Sequence, residues 1–209
     1  MKITWLGHSC FKIENNGYSI IIDPYTDESV RGLKPIRERA NAVYFSHEHG
    51  DHHGDNCVKI IENVTSNPFS VEEIATYHDE VHGAKRGLNK IYIFDDGKTK
   101  IAHFGDLGCE LEAAQKEKLK KADVLLIPVG GYYTIGHKQA AELVSELKPR
   151  VVIPMHYRDD ERGIGFDEID TVSDFTEDMD SVMVIQSSEL DVTYELSAQV
   201  VIMQPLNAM

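Results

Sequence analysis

Four side chains of the kind that binds transition metals lie within six positions, directly after an apolar run at 42–45. They are His47, His49, Asp51 and His52. Residues two apart in an extended segment face the same way, so His47 and His49 can bind one ion. Gly50 allows a sharp bend, after which the other two side chains face a second point. Imidazole and carboxylate groups suit zinc and related divalent metals, and a two-metal site is the simplest arrangement that uses all four.

Three further loops offer side chains of the same kinds, and each follows an apolar run with strand character. The first loop carries His78, the second carries His103 and Asp106, and the third carries His156. Functional side chains collect in loops that a rigid sheet positions. The sequence therefore predicts that these loops complete the metal site.

The run from His47 to His52 resembles the signature of the metallo-β-lactamase fold hydrolases. Further matching motifs lie in the expected order along the chain, from Asp23 before this run to His156 after it. This resemblance implies an α/β (α+β) fold, a four-layer αββα sandwich of two mixed β-sheets flanked by helices. It also implies two divalent transition-metal ions per chain. Zinc is the first expectation, with manganese, iron or nickel as alternatives.

The resemblance gives each candidate ligand a role. The first ion would be bound by His47, His49, His78 and Asp106, and the second by Asp51, His52, His156 and Asp106. His82 and His103 are alternatives for the third histidine of the first site. We favour His78 because it ends a strand upstream of the Gly105-Asp106 pair, which leaves His103 as a supporting residue. Asp23 is expected to hold the histidine loop through hydrogen bonds.

Several residues are expected to act on the substrate. Asp51 would orient the nucleophile or take its proton, and Tyr157 and His8 are candidates to stabilise the oxyanion. His8, in a Gly-His-Ser run that resembles the branch of ascorbate-6-phosphate lactonase, would contact the substrate or cap a turn. Tyr132 follows two glycines that allow close approach to a ligand.

A basic pair, Lys85 and Arg86, lies a few residues after His78 in an otherwise acidic chain. The pair would bind a substrate anion, or it is an ordinary exposed pair of charges. The predicted reaction is hydrolysis by a hydroxide that bridges two metals, on a phosphodiester of a nucleotide or short nucleic acid. Alternatives are a lactonase or other hydrolase of a small anionic metabolite, and a di-iron oxidoreductase of the same fold. The last is disfavoured because no flavin-binding domain follows.

Length and charge narrow these functions. The chain of 209 residues is 42 % hydrophobic, which predicts a single domain over residues 1–209. A net charge of −14 favours a small anionic substrate or nucleotide over an extended nucleic-acid surface. Three dispersed cysteines, no signal peptide and no membrane-length apolar run predict a cytoplasmic protein. The apolar run 200–203 predicts a homo-oligomer, unless the chain's own sheet covers it.

The hydrophobic pattern predicts elements that would position these residues. Strands are predicted at 2–6, 10–14, 18–22, 42–45, 71–77, 90–94, 99–104, 124–128, 150–155, 182–185, 191–196 and 199–203. Helices are predicted at 56–63, 111–121 and 137–147, and in part of 167–177, and the segment 25–39 is predicted as a loop or short helix.

Overall fold

The computed structural model describes residues 1–62, 66–177, 179–193, 195–196 and 199–209. The strands are β1 (Lys2–Gly7), β2 (Cys10–Asn15), β3 (Tyr18–Ile22), β4 (Glu38–Ala40), β5 (Ala42–Tyr44), β6 (Val58–Ile60), β7 (Ser70–Tyr77), β8 (Leu88–Asp95), β9 (Lys100–His103), β10 (Val124–Pro128), β11 (Val151–Met155), β12 (Val182–Val184), β13 (Glu189–Asp191) and β14 (Gln199–Ile202). The helices are α1 (Ala113–Leu119), α2 (His137–Leu147) and α3 (Val172–Thr176).

The first sheet has five strands in the order β13-β1-β2-β3-β5. Strands β1 to β3 form an antiparallel meander, and Asn16 and Gly17 make its second turn with φ of 50° and 78°. Two residues with positive φ form the tight turn that suits the twist of a hairpin. Strand β5 pairs in parallel with β3, so the ends of both strands lie at the same edge of the sheet.

The second sheet has seven strands in the order β12-β14-β11-β10-β9-β8-β7. Strands β9, β10, β11, β14 and β12 all run parallel to one another. Strand β8 is antiparallel to both β9 and β7, so β7 runs in the direction of β9. The carboxyl ends of β7, β9 and β11 therefore meet at one edge of this sheet.

The two sheets pack face to face over one main core. Ile20 and Ile22 of β3 face this core, whereas Ile21 between them faces a second cluster on the outer side. Tyr44 of the first sheet contacts Phe94 of the second, with ring centroids 5.2 Å apart. The period of two places side chains on alternate faces, and both faces of β3 are buried. The predicted sandwich is confirmed.

The outer layers of the sandwich differ from each other. Buried residues of α1, α2 and α3 all belong to the main cluster that contains the seven-stranded sheet. On the outer side of the five-stranded sheet, the second cluster contains Tyr25, Val30, Leu33 and Ile36 from an irregular segment, together with residues of β4 and β6. Among the described residues, an irregular segment and a two-stranded sheet thus cover this face. The resemblance implies a helical layer there, so the confirmed sandwich has its helices on the side of the seven-stranded sheet.

The prediction of a helix over 56–63 is wrong in its described part, and Asn63 lies outside the described residues. Residues 58–60 form β6, which pairs in parallel with β4. Val58 is buried in the second cluster, and its β-branched side chain favours an extended backbone. The strand predicted at 191–196 includes Tyr194, which lies outside the described residues. The described strand is β13 at 189–191, where its register is set by pairing with β1.

The apolar run at 200–203 is largely an interior strand. β14 lies between β11 and β12, and Val200 and Val201 are buried. The chain's own sheet therefore covers this run, and it gives no support to the expected homo-oligomer. No helix among the described residues is both long and apolar enough to cross a membrane.

Candidate metal centre

The candidate ligands all follow strand ends at facing edges of the two sheets. His78 follows β7, Asp106 lies three residues after β9, and His156 follows β11. The loop from His47 to His52 comes after β5 of the other sheet. Because these strands end at shared edges, residues up to 109 positions apart in sequence lie together.

Two main groups of ligand-type side chains form at this place, and a third group overlaps both. One main group contains His47, His49 and His78, and the other contains His8, Asp51, His52 and His156. The overlapping group contains His47, His52 and Asp106. Within each group the potential ligand atoms lie within 4.8 Å of one another. The structure thus brings together all the histidines and carboxylates that the resemblance assigns to two ions, and it adds His8 to the second group.

Asp106 lies between the two groups. Its Oδ2 atom is 3.2 Å from His78 Nε2 and 3.8 Å from His47 Nε2 on one side. The same oxygen is 3.2 Å from His156 Nε2, and Oδ1 is 3.0 Å from His52 Nε2, on the other. Burial works to raise the pKa of Asp106, but His156 and His52 lower it well below its usual range. The side chain is therefore an anion in contact with both groups.

Asp23 fixes the proton positions on two of the histidines. Its Oδ1 accepts the backbone N–H of Ser46 at 2.7 Å, and its Oδ2 accepts the Ser46 hydroxyl at 2.6 Å and His52 Nδ1–H at 2.8 Å. The Ser46 oxygen is then left to accept from His47 Nδ1, 2.9 Å away. Both rings therefore carry a proton on Nδ1, which leaves Nε2 as the nitrogen that each ring can offer to a metal ion, as in metal-binding histidines.

The electrostatics of the centre favour a bound cation. Burial works to lower the pKa of His52, but Asp106, Asp51 and Asp23 raise it well above its usual value. Three carboxylates thus attract positive charge to this imidazole. A divalent ion that replaces a proton satisfies the same demand, which is why metal binding at such sites releases protons.

Unpartnered buried atoms also indicate a metal. Within the described part of the chain, His47 Nε2 is buried without a hydrogen-bond partner, and His52 Nε2 and Asp106 Oδ1 face each other at 3.0 Å without the geometry of a hydrogen bond. Buried polar atoms normally have partners, so a cluster of exceptions needs an explanation. The donor set of imidazoles and carboxylates fits divalent transition metals, and zinc among them.

The structure places the three candidates for the third histidine differently. His78 is buried and lies beside His47, with ring centroids 4.7 Å apart. His103 turns away: its Nε2–H donates to Ser9 O at 2.8 Å, and its Nδ1 accepts the Gly105 N–H at 3.1 Å. His82 is exposed. Only His78 of the three lies in a potential metal group.

His8 lies behind Asp51. Its Nε2 atom is 3.3 Å from Asp51 Oδ2, and its ring centroid is 4.2 Å from that of His156. Burial and the neighbouring His156 lower the pKa of His8 to about 4, so its ring is neutral and a donor to the carboxylate. Its φ of 53° is a strained conformation, of the kind that concentrates at functional sites.

Asn89 supports the centre without a signal in the sequence. Its Oδ1 accepts the backbone N–H of Asp106 at 2.9 Å, and its Nδ2 donates to Thr76 Oγ1 and Phe104 O at 2.8 and 2.9 Å. Gly105 has φ of 54°, and a Cβ there would collide with Asn89 and Ser46. The turn that presents Asp106 therefore packs directly against the histidine loop.

A cavity of about 390 Å³ opens onto this centre. Its wall contains Ser29, His49, Gly50, Asp51, His78, Arg86, Asp106, Tyr133, His156 and Phe166. Members of both ligand groups thus face one space, together with a guanidinium and two aromatic rings. The cavity has room for a small ligand beside these side chains.

Known proteins resemble this chain in sequence and in fold. Residues 2–156 match the family model described as a beta-lactamase superfamily domain. The chain belongs to the β-lactamase superfamily. A UPF0173 metal-dependent hydrolase of Desulforamulus reducens is 31 % identical to it in an alignment of 193 residues. The coverage is 75 % of this chain and 84 % of that protein. These relatives confirm the prediction of a metal-dependent hydrolase.

Solved structures agree with this placement in the superfamily. A Thermotoga maritima protein of the metallo-beta-lactamase superfamily is 35 % identical, with a TM-score of 0.75 and coverage of 97 % of each chain. The metallo hydrolase Igni18 of Ignicoccus hospitalis is 24 % identical, with a TM-score of 0.58 and coverage of 84 % of this chain and 88 % of that one. The second likeness shows the shared fold alone.

The loop 79–86 presents Arg86 to the cavity and is held in place by hydrogen bonds to Asp79. The buried carboxylate of Asp79 accepts four backbone N–H groups, from Val81 and Gly83 on Oδ1 and from Lys85 and Arg86 on Oδ2, at 2.7 to 2.9 Å. Burial works to raise the pKa of Asp79, but these donors lower it to about 2. The loop is therefore anchored one residue after His78.

Three residues predicted to act on the substrate lie elsewhere. Lys85 points outward into an ion pair with Glu80. Tyr132 is 64 % exposed, and its neighbour Tyr133 lines the cavity in its place. Tyr157 packs against Trp5, with ring centroids 5.7 Å apart, and lines a separate cavity. The structure gives Tyr157 no contact that would support the expected oxyanion role.

Proposed function

We propose that this hydrolase uses two divalent transition-metal ions to cleave small anionic esters, with phosphodiesters as the first substrate class. The observation that carries the proposal is the position of Asp106, which contacts imidazoles of both ligand groups at the floor of one cavity. In the same wall, Arg86 supplies a guanidinium that makes no ion pair among the described residues.

Each group of side chains has a role in this proposal. His47, His49 and His78 would hold one ion, Asp51, His52 and His156 the other, and Asp106 would contact both. When bound, such ions supply an activated water at neutral pH and stabilise charge on the ester oxygens. Burial works to raise the pKa of Asp51, but His52 and His8 lower it, so this carboxylate stays anionic. Asp51 lines the cavity and would orient the attacking water by accepting its hydrogen bond, while His8 fixes the carboxylate.

The first prediction concerns metal content. Purified protein is expected to contain about two transition-metal ions per chain, because two groups with no side chain in common offer ligand atoms and Asp106 contacts both. Elemental analysis before and after chelation measures this, with phosphodiester hydrolysis assayed in parallel. Full hydrolysis by metal-free protein contradicts the proposal. Iron as the dominant metal, with no hydrolysis of any ester, would favour the di-iron oxidoreductase.

The second prediction uses the basic pair as its own control. Arg86 lines the cavity, whereas Lys85 is already paired with Glu80. Arg86→Ala is expected to raise KM for a phosphodiester about 10-fold or more, because a charge-assisted hydrogen bond is lost. Lys85→Ala is expected to leave KM within about twofold, since an exposed ion pair contributes little. Metal content should be unchanged in both variants.

The substrate panel for this comparison contains a phosphodiester, a lactone with a carboxylate and a neutral lactone. A single guanidinium binds a carboxylate as well as a phosphodiester, so the two anionic members compete directly as the preferred class. The neutral lactone should show no change in KM on Arg86→Ala. Equal losses for neutral and anionic substrates would show that Arg86 supports the cavity wall instead of binding an anion.

A further inference from the structure

Two aromatic rings form a corner in the cavity wall. The ring centroids of Tyr133 and Phe166 are 5.8 Å apart, with an angle of 72° between the planes. Both residues line the cavity and are only partly buried. Partly exposed rings that meet in a concave site offer one face and one edge to a ligand.

Each ring of this corner is in contact with a group of the proposed active site. The guanidinium carbon of Arg86 lies 5.5 Å from the centroid of the Tyr133 ring. The Phe166 ring meets His8 edge-on at 5.6 Å and lies 6.4 Å from the ring of His156. A group bound in the corner would therefore lie next to both the anion-binding guanidinium and the second ligand group.

The segment that carries Phe166 is tied to the rest of the fold by backbone hydrogen bonds. Gly165 N–H donates to Arg31 O at 3.1 Å, Arg158 N–H donates to Asp170 O at 2.9 Å, and Asp159 and Ile164 bond to each other at 3.0 Å in both directions. Such ties hold the ring in place before a ligand arrives. Preorganisation of this kind reduces the entropy that binding costs.

We propose that this corner binds a planar group of the substrate, so that the hydrolase acts on a small ester with one negative charge beside an aryl or nucleobase ring. The inference rests on the proposed function and specifies its substrate. A cavity of about 390 Å³ fits a molecule of mononucleotide size. A net charge of −14 disfavours a long polyanion. A flat ring against two aromatic side chains gains stacking that a saturated ring of similar size does not.

Unreactive phosphonates test this inference by binding alone. Phenylphosphonate, cyclohexylphosphonate and methylphosphonate are titrated into the zinc-loaded protein by calorimetry. They share the same anionic head and differ in the attached group. Phenylphosphonate is expected to bind about tenfold more tightly than either of the others, since stacking of about this strength is typical of aromatic pairs.

Two variants separate the corner from the remaining wall. Phe166→Ala is expected to bring the three phosphonates within about threefold of one another. Phe166→Leu, which keeps an apolar side chain in case the alanine variant fails to fold, is expected to lose the preference for phenyl over cyclohexyl. Leu88→Ala removes an apolar side chain that is 70 % exposed outside the cavity, and should retain the wild-type preference.

The outcomes distinguish the inference from the proposal beneath it. Equal affinity of the wild-type protein for the three phosphonates would overturn the aromatic corner and leave the anion site in place. A phenyl preference that survives in Phe166→Leu would also overturn it. If no phosphonate binds the zinc-loaded protein, the proposed metal and anion site fails, and the inference fails with it.

Discussion

Asp106→Asn is expected to lower kcat/KM by more than about 100-fold and to reduce metal content at both positions. Loss of a residue that only supports a ligand already weakens metal binding by about 10- to 100-fold, and Asp106 contacts the ligands themselves. Its carboxylate lies within 3.2 Å of an imidazole nitrogen in each group. An asparagine keeps the shape and removes the charge that both groups share. Elemental analysis and competition with a chelator measure the effect.

His78→Ala provides the comparison for Asp106. This histidine belongs to one ligand group only, so its loss should mainly remove one ion and leave the other. Asp95→Asn, which changes a carboxylate paired with Lys100 at a distant turn, controls for a general effect of charge. If Asp106→Asn removes a single ion, or if His78→Ala removes both equally, the position of Asp106 between two ions is wrong.

The sequence predicts the metal ligands well because the signal is chemical and local. Four ligand-type residues occur within six positions, a density that an ordinary surface loop does not need. The remaining ligands require the topology, since β7, β9 and β11 must end at the same edge. His78 and His103 are both near strand ends in the sequence. Only the backbone path shows that His103 turns to Ser9 and that His78 turns to the centre.

The sequence does not single out the residue that supports Asp106 or the aromatic residues that line the cavity, and the reason is physical. Asn89 is the second residue of β8 and pairs with Thr76 of β7, at a position where a polar residue is usually exposed. Its role depends on the turn after β9, which is distant in sequence. Tyr133 and Phe166 are single aromatic residues in loops, and no spacing marks them. Tyr133 lines the cavity and Tyr132 does not, because the backbone turns at Tyr132, which has φ of 55°.

The fold shows a similar division between local and distant information. Two five-residue strands with buried faces, β3 and β10, are predicted with their bounds. The helix α2 is predicted to the residue because Ala140, Ala141, Val144 and Leu147 recur at helical spacing and Pro149 follows. The three-residue strands β4 and β6 carry no period that could be detected. They exist because they pair with each other over the second cluster.

Asp23→Asn is the second change for which we expect a large effect, because it disturbs a buried set of hydrogen-bond donors and acceptors. The Asp23 carboxylate is completely buried and accepts three hydrogen bonds, from Ser46 N–H, the Ser46 hydroxyl and His52 Nδ1–H. Asparagine has one oxygen and one NH₂ in their place. In either orientation of the amide, NH₂ faces at least one donor. With NH₂ at the Oδ2 position, His52 loses the acceptor that keeps its proton on Nδ1 and its Nε2 free for metal. With NH₂ at the Oδ1 position, it faces the backbone N–H of Ser46 and displaces the histidine loop instead.

The expected result for Asp23→Asn is a loss of about 10- to 100-fold in metal affinity, together with about 3 kcal/mol of unfolding free energy in metal-free protein. Zinc titration against a chromogenic chelator and denaturant unfolding measure the two effects. Ser46→Ala is the matched comparison, because it removes only the hydroxyl between Asp23 and His47 and leaves the bond to His52. Its loss should be smaller and confined to one ion. If Ser46→Ala and Asp23→Asn lose affinity equally, the effect passes through the histidine loop as a whole, and Asp23 does not act by fixing the proton on His52.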